Sequence, residues 1–244
     1  MLTGVGLAGS VMVLAAANVL NNRIAPRWAP VTSTAATALL AGLARSAGVS
    51  FAEMGFERLR RGGVAGTALA AGVVAGYAAG VAHPRTRPLF LDERACGISR
   101  ARLAEEVLLR VPLGTVLLEE VGFRGVVHAL VARSYGTGPA AVASSALFGL
   151  WHVLPALDNA AVNPTLAAHG TGPLLAGTVV STGLAGALLC ALRRRGGLLA
   201  PMLLHTATNS LGFLAARAAL RRSAPPGRPR RRTPAVARPR RRWP

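Results

Sequence analysis

Residues 116–127 are Val-Leu-Leu-Glu-Glu-Val-Gly-Phe-Arg-Gly-Val-Val, a glutamate pair and an arginine inside an otherwise apolar stretch. A charged side chain at the centre of a bilayer costs roughly 2.5–3.5 kcal/mol on insertion scales, so these residues require a reason. Glu120 and Arg124 are four apart on one helix face, which predicts that they neutralise each other as an ion pair. Glu119 points about 100° away and needs a different partner. The stretch therefore predicts a structural carboxylate, Glu120, beside a working carboxylate, Glu119.

The composition is that of a membrane protein. Of 244 residues, 52% are hydrophobic and only 15% are charged, with a mean hydropathy of +0.42, whereas soluble domains have about 25% charged residues. We predict an all-α fold, a polytopic membrane helix bundle of about seven transmembrane helices (six to eight), because a crossing needs about 20 apolar residues. The apolar stretches of this length lie near residues 2–20, 31–49, 62–82, 105–131, 139–157, 173–192 and 197–219.

Two later apolar stretches also carry polar side chains. His152 follows Phe148 by four residues, and His205 precedes Asn209 by four, so each pair shares one helix face. At 1.5 Å rise per residue, Glu119, His152 and His205 lie within about 8 Å of a common plane in the bilayer. Because polar groups at this depth are tolerated where they line a wet cavity, we predict that these residues converge on one.

Taken in order, these residues form the motifs E-E-x-x-x-R, F-x-x-x-H and H-x-x-x-N on successive apolar segments. The pattern resembles the CPBP family, the CAAX prenyl endopeptidases and bacteriocin-processing intramembrane proteases, over roughly residues 105–213. Two further short runs contribute to the resemblance. They are Phe123-Arg124-Gly125 and residues 195–201, Arg-Gly-Gly-Leu-Leu-Ala-Pro.

The resemblance implies an intramembrane endopeptidase of the glutamate type and assigns the motif residues their roles. Peptide hydrolysis needs an activated water and donors for the tetrahedral oxyanion, and a desolvated carboxylate is a stronger base. By resemblance, Glu119 and His152 polarise the water, while His205 and Asn209 stabilise the oxyanion. Three supporting residues complete the site: Glu120 and Arg124, which hold the first motif, and Phe148, which packs the cavity wall.

Three alternatives remain open from the sequence. Two His and a Glu are plausible zinc ligands; however, H-E-x-x-H is absent, and we predict no metal and no cofactor, with zinc as the rival hypothesis. A non-proteolytic membrane scaffold or regulator would keep the fold without the chemistry. A proton-coupled transporter would use Glu119 and His152 as relay groups. Cys96 and Cys190 have neither disulfide-framework nor metal-ligand spacing.

The positive charge is concentrated at the C-terminus. All 28 basic residues are Arg, and ten of them lie in 221–244, where no acid occurs; the remaining 18 Arg against 9 acids give residues 1–220 a net charge of +9 out of +19. Such an Arg/Pro tail is predicted to be disordered. Anionic lipid headgroups attract it by about 1 kcal/mol per basic residue. On a membrane protein, this role is favoured over nucleic-acid binding.

These observations divide the chain into four predicted parts. They are N-terminal transmembrane helices over 1–83, a loop or interfacial helix over 84–104, the CPBP-like catalytic core over 105–219 and the tail over 220–244. We predict a multi-pass protein of the bacterial inner membrane (the cell membrane) with a cytoplasmic tail. Its expected partners are the lipid bilayer and a membrane-embedded or membrane-delivered peptide or protein substrate. His83, His128 and His169 match no motif and are assigned to loops or interfaces.

Overall fold

A computed structural model describes residues 2–91, 98–162 and 170–223. Within those ranges the regular structure is helical and contains no strand, which confirms the predicted all-α class. The α-helices are α1 (Leu2–Val19), α2 (Ala29–Ser46), α3 (Leu59–Ala82), α4 (Arg100–Glu105), α5 (Leu117–Glu119), α6 (His128–Tyr135), α7 (Thr137–Trp151), α8 (Val153–Val162), α9 (Thr171–Gly196) and α10 (Leu199–Ser223).

Among the described residues, four helical stretches are long and apolar enough to cross a membrane. They are Thr3–Ile24, Leu59–Ala82, Thr137–Asp158 and Thr171–Gly196, with mean hydropathies between 1.5 and 1.9. The protein is therefore a helical membrane bundle. The other predicted spans correspond to α2, residues 100–135 and α10, which all carry charged side chains; the count of about seven crossings stays a prediction.

Residues 100–135 form one continuous but irregular helix, which we call the segmented helix. Its α-helical turns alternate with π-helical turns at Glu106–Arg110, Pro112–Val116 and Glu120–Val127. Pro112 begins the second of these π turns, and proline lacks the N–H that an α-helix needs. The third π turn contains Glu120 and Arg124, and all eight of its residues are buried. π-helical turns are rare in proteins, and those that do occur are often found at functional sites.

The largest buried cluster surrounds the segmented helix. Val121, Val126 and Leu130 are buried in it together with Leu14 of α1 and Leu40 of α2. At Gly122, an added Cβ would lie 2.8 Å from Leu14 Cδ2, so this position brings α1 against the segmented helix. Because the helix is enclosed on this side by apolar neighbours, Glu119, Glu120 and Arg124 face the remaining side, toward α7, α9 and α10.

Glycines allow close helix contacts elsewhere in the bundle. A Cβ at Gly66 of α3 would lie 2.8 Å from Leu203 Cβ of α10, and one at Gly149 of α7 would lie 2.6 Å from the Val179 carbonyl of α9. Interfaces of small residues are typical of helices packed in lipid. Other glycines of α3 make no such contact: nothing lies within 4 Å of a Cβ added at Gly72 or Gly76.

The loop over residues 47–58 is fastened to the ends of two other helices. Its Glu53 carboxylate accepts hydrogen bonds from Arg133 Nε at 2.7 Å and Nη2 at 3.0 Å, and its Gly55 carbonyl accepts from Leu198 N at 2.7 Å. Arg133 also donates to the carbonyls of Ala47 and Gly48. These contacts place residues 47–58, 133 and 198 at the same end of the bundle.

Two sequence assignments change. His128 is 1% exposed in the core, not in a loop or interface, because it begins α6 on the enclosed side of the segmented helix. α10 continues through Ser223, so Arg221 and Arg222 of the predicted tail are helical. The rest of that tail lies outside the described residues, as do Cys96 and His169.

Candidate active site

The two carboxylates of the first motif lie at the centre of the bundle. Glu119 is 4% exposed and Glu120 is fully buried. Trp151 Nε1, at the end of α7, donates a hydrogen bond of 2.9 Å to Glu119 Oε1. The second oxygen of Glu119, Oε2, is buried and has no hydrogen-bond partner among the described residues. Glu119 is thus oriented through one oxygen, while the other remains available.

His205 of α10 lies between the two carboxylates. Its Nδ1 is 2.8 Å from Glu120 Oε1, and its Nε2 is 3.7 Å from Glu119 Oε2. A carboxylate oxygen accepts, so Nδ1 carries the hydrogen that faces Glu120. Nε2 then faces Glu119 either as a lone pair or as a second N–H. The imidazole therefore connects the two carboxylates, which the sequence analysis treated as separate.

The predicted Glu120–Arg124 ion pair is present. Arg124 Nη1 is 3.2 Å from Glu120 Oε1, and both side chains are 0% exposed. The guanidinium also lies over the Phe148 ring, with Cζ 3.7 Å from the ring centroid. Gly186 of α9 permits this arrangement, because an added Cβ would lie 3.2 Å from both Arg124 Nη2 and Phe148 Cδ1. An arginine on an aromatic face is a favourable cation–π contact, strengthened by desolvation.

His152 joins this cluster through Phe148. Its ring contacts the Phe148 ring edge-on at a centroid distance of 4.6 Å, and Phe148 contacts the His205 ring at 6.1 Å. His152 Nδ1 is 2.8 Å from the Phe148 carbonyl oxygen, which can only accept. Nδ1 is therefore the donor, and in the neutral ring Nε2 is left as an acceptor. His152 follows the last residue of α7, where the chain turns into α8.

Asn209 lies one turn beyond His205 on α10 and is half-buried. Within the described part of the chain its amide makes no side-chain hydrogen bond, unlike Ser210 beside it, which donates to the Val107 carbonyl at 2.9 Å. Of the seven motif residues, the structure thus links six through hydrogen bonds, ion pairs or ring contacts. Asn209 lies on the same helix as His205, and within the described ranges it makes no hydrogen bond to the other six.

The charges of this cluster do not cancel. Two ionised carboxylates and one guanidinium sum to −1, so one further proton, on His205 or Glu119, makes the cluster neutral. Uncompensated charge is costly in a buried site. Beyond the described contacts, Glu119 Oε2, Glu120 Oε2 and the three guanidinium nitrogens have unused hydrogen-bonding capacity. The cluster can therefore polarise a small molecule placed against Glu119 and exchange a proton with it.

The metal alternative has a defined set of candidate ligands. Glu119 Oε2 and His205 Nε2 face each other at 3.7 Å, but the Glu119 carboxylate is also bound by the Trp151 indole, and the His205 ring by Glu120. Over residues 2–91, 98–162 and 170–223, no three His, Cys, Asp or Glu side chains are arranged to hold a metal ion.

Two residues of the site belong to none of the three motifs. Trp151 precedes the motif residue His152, and its indole donates a hydrogen bond to Glu119. Asn18 of α1 is 8% exposed and donates from Nδ2 to the Trp151 carbonyl at 2.9 Å. The sequence contained an indication for Asn18, because an amide side chain inside an apolar span is uncommon and needs a hydrogen-bond partner.

Fold and site together define a helical membrane protein with a buried glutamate–histidine–arginine cluster. Residues 103–211 match the family model described as Rce1-like, the type II CAAX prenyl endopeptidase Rce1-like family. This match confirms the predicted resemblance to the CPBP family over residues 103–211. No curated protein and no solved structure matched the chain.

Proposed function

We propose that the protein is an intramembrane endopeptidase that cleaves membrane-associated peptides or proteins with a water activated by Glu119. The observation that supports this most is the state of Glu119, which is buried, oriented through Oε1 by Trp151, and has Oε2 unpartnered 3.7 Å from His205 Nε2. A carboxylate fixed by one oxygen and open at the other is suited to act as a general base.

The proposed reaction follows from this geometry. Glu119 Oε2 takes a proton from water, and the oxygen attacks the scissile carbonyl to give a tetrahedral oxyanion. His152, with Nδ1 bound to the Phe148 carbonyl, offers Nε2 to orient the same water. His205 and Asn209 donate to the oxyanion, as the family resemblance implies. Glu119 then passes its proton to the leaving amine, and Glu120 with Arg124 keeps His205 in place.

The substrate and location follow from the membrane setting. We place the enzyme in a bacterial inner membrane with its C-terminal tail in the cytoplasm, on the side of the Arg23 and Arg27 loop. The substrate reaches Glu119 from the bilayer, because the carboxylate lies inside the helical bundle and not on an extramembrane surface. A transmembrane or membrane-delivered peptide meets this requirement.

The test compares cleavage by variants of the purified protein in detergent. A quenched membrane-peptide library is incubated with wild type, Glu119→Gln, His152→Ala and the control Glu105→Gln, which changes a partly exposed carboxylate of the same segmented helix. We expect cleavage by wild type and by the control, with loss in the two site variants. Cleavage that persists in Glu119→Gln and His152→Ala would exclude the proposed site.

The same experiment separates the alternatives. Loss of activity in chelator and recovery with zinc would assign Glu119 and the histidines as metal ligands. A scaffold would show no cleavage with any substrate and would keep its cellular role in Glu119→Gln. A transporter would move protons across reconstituted vesicles in a Glu119-dependent manner without cleaving peptide.

A further inference from the structure

A groove lies on the bundle surface where α10 ends and the segmented helix begins. Its volume is about 510 Å³. Apolar side chains from both helices form most of the lining: Leu103, Ala104, Val107, Leu108, Leu214 and Ala218. Leu108 is 75% exposed and Leu214 is 40% exposed, so the apolar surface opens outward, toward lipid.

Three arginines border the same groove. Arg100 comes from the first turn of α4, and Arg217 and Arg221 come from the last two turns of α10. Arg217 donates to the Ile98 carbonyl at 2.6 Å, which leaves its other donors free. Within the described ranges Arg100 and Arg221 make no ion pair, since the nearby Glu105 and Glu106 pair with Arg102 and Arg110.

The charge around the groove is therefore uncompensated and on one side of the bilayer. No Asp or Glu is among the described residues that line it. Arginine is suited to phosphate because its planar donors bind two oxygens at once. An apolar channel with guanidinium groups at one end matches an acyl chain with an anionic phosphate headgroup.

We propose that this groove binds an anionic phospholipid, with its phosphate held by Arg100, Arg217 and Arg221 and one acyl chain along Val107 and Leu214. α10 ends on this side of the bundle, which is the one predicted to face the cytoplasm, where anionic lipids attract basic residues. The site is independent of the proposed chemistry. Arg217 is twelve residues beyond His205, about 18 Å along the helix.

Native mass spectrometry of the full chain in detergent tests the proposal. Phosphatidylglycerol and phosphatidylcholine are titrated into wild type and into the triple variant Arg100→Gln/Arg217→Gln/Arg221→Gln. We expect phosphatidylglycerol to bind wild type at least about tenfold more tightly than it binds the triple variant. Wild type should retain it in preference to phosphatidylcholine. The matched control is Arg60→Gln/Arg61→Gln, two exposed arginines at the opposite end of the bundle, which should bind as wild type does.

A second variant keeps the charges and fills the channel. Leu214→Trp adds bulk to the groove and leaves all three arginines in place, so it should also weaken phosphatidylglycerol binding. Free glycerol phosphate should compete poorly, because it lacks the acyl chain. Equal binding by wild type and the triple variant, or by both lipids, would overturn the proposal. Unchanged binding in Leu214→Trp, or full competition by glycerol phosphate, would overturn the assignment of an acyl chain to the groove.

Discussion

Trp151 Nε1 donates a hydrogen bond of 2.9 Å to Glu119 Oε1, and this contact fixes which oxygen of the carboxylate is free. The backbone of Trp151 is also held, because Asn18 Nδ2 donates a hydrogen bond to the Trp151 carbonyl. Phe123 packs edge-on against the same indole at 5.5 Å. A catalytic base has to be held in position by neighbouring groups that do not themselves react.

Trp151→Phe should reduce peptide cleavage by about 10- to 100-fold, because a hydrogen bond to a charged group contributes roughly 1.5–3 kcal/mol. The buried Glu119 Oε1 also loses its donor and the ring becomes smaller, so the thermal unfolding temperature should fall as well, and rates are compared where both proteins are folded. Initial rates on a cleaved peptide measure the effect. Trp28→Phe is the matched control, since Trp28 is 53% exposed. Equal rates for Trp151→Phe and wild type would show that Glu119 is oriented by something else.

Arg124→Leu should destabilise the protein by about 3–5 kcal/mol, because it leaves a buried carboxylate without its cation. Unfolding in mixed micelles, followed by denaturant titration, gives the free energy. Arg102→Gln serves for comparison, since its pairs with Glu105 and Glu106 are partly exposed and such pairs contribute about 0–1 kcal/mol. Adding Glu120→Gln to Arg124→Leu should recover part of the loss. A loss no larger than that of Arg102→Gln would contradict the buried pair.

Gly66→Ala should destabilise the bundle by about 1–3 kcal/mol, because its Cβ would lie 2.8 Å from Leu203 Cβ and 3.1 Å from the Ala200 carbonyl. Gly72→Ala, on the same helix, has nothing within 4 Å of the new Cβ. It should be neutral or stabilising by up to about 1 kcal/mol from helix propensity. The same unfolding assay compares the two. Effects of the same sign and size would refute the α3–α10 contact.

Glu53 should make stability depend on acid pH. Arg133 and the Ser50 backbone lower its pKa from 4.5 to about 2. Because the folded pKa is lower than the unfolded one, the stabilisation is present above about pH 4.5 and is lost as pH falls toward 2. Thermal unfolding of wild type should fall across this window, and Glu53→Gln should remove part of the slope. Glu57→Gln, in the same loop, is the control; an unchanged slope in Glu53→Gln would exclude the assignment.

The local part of the site followed from the sequence. Glu120 and Arg124 are one helical turn apart, so their ion pair depends on spacing within a single segment, and the structure retains it at 3.2 Å. The all-α class followed from apolar length and composition in the same way. The order of three motifs was enough for the family, whose model matches residues 103–211.

The tertiary structure alone determined which side chains meet. Trp151 lies 32 residues from Glu119, and His205 lies 85 residues from Glu120, so neither hydrogen bond depends on local spacing. Both contacts require particular rotations of α7 and α10, set by close approaches such as Gly186 against Phe148 and Gly66 against Leu203. From the sequence it followed that Glu119, Glu120 and Arg124 lie within an apolar stretch and need partners. Packing between helices decided that His205 would join both carboxylates and that Trp151 would orient Glu119.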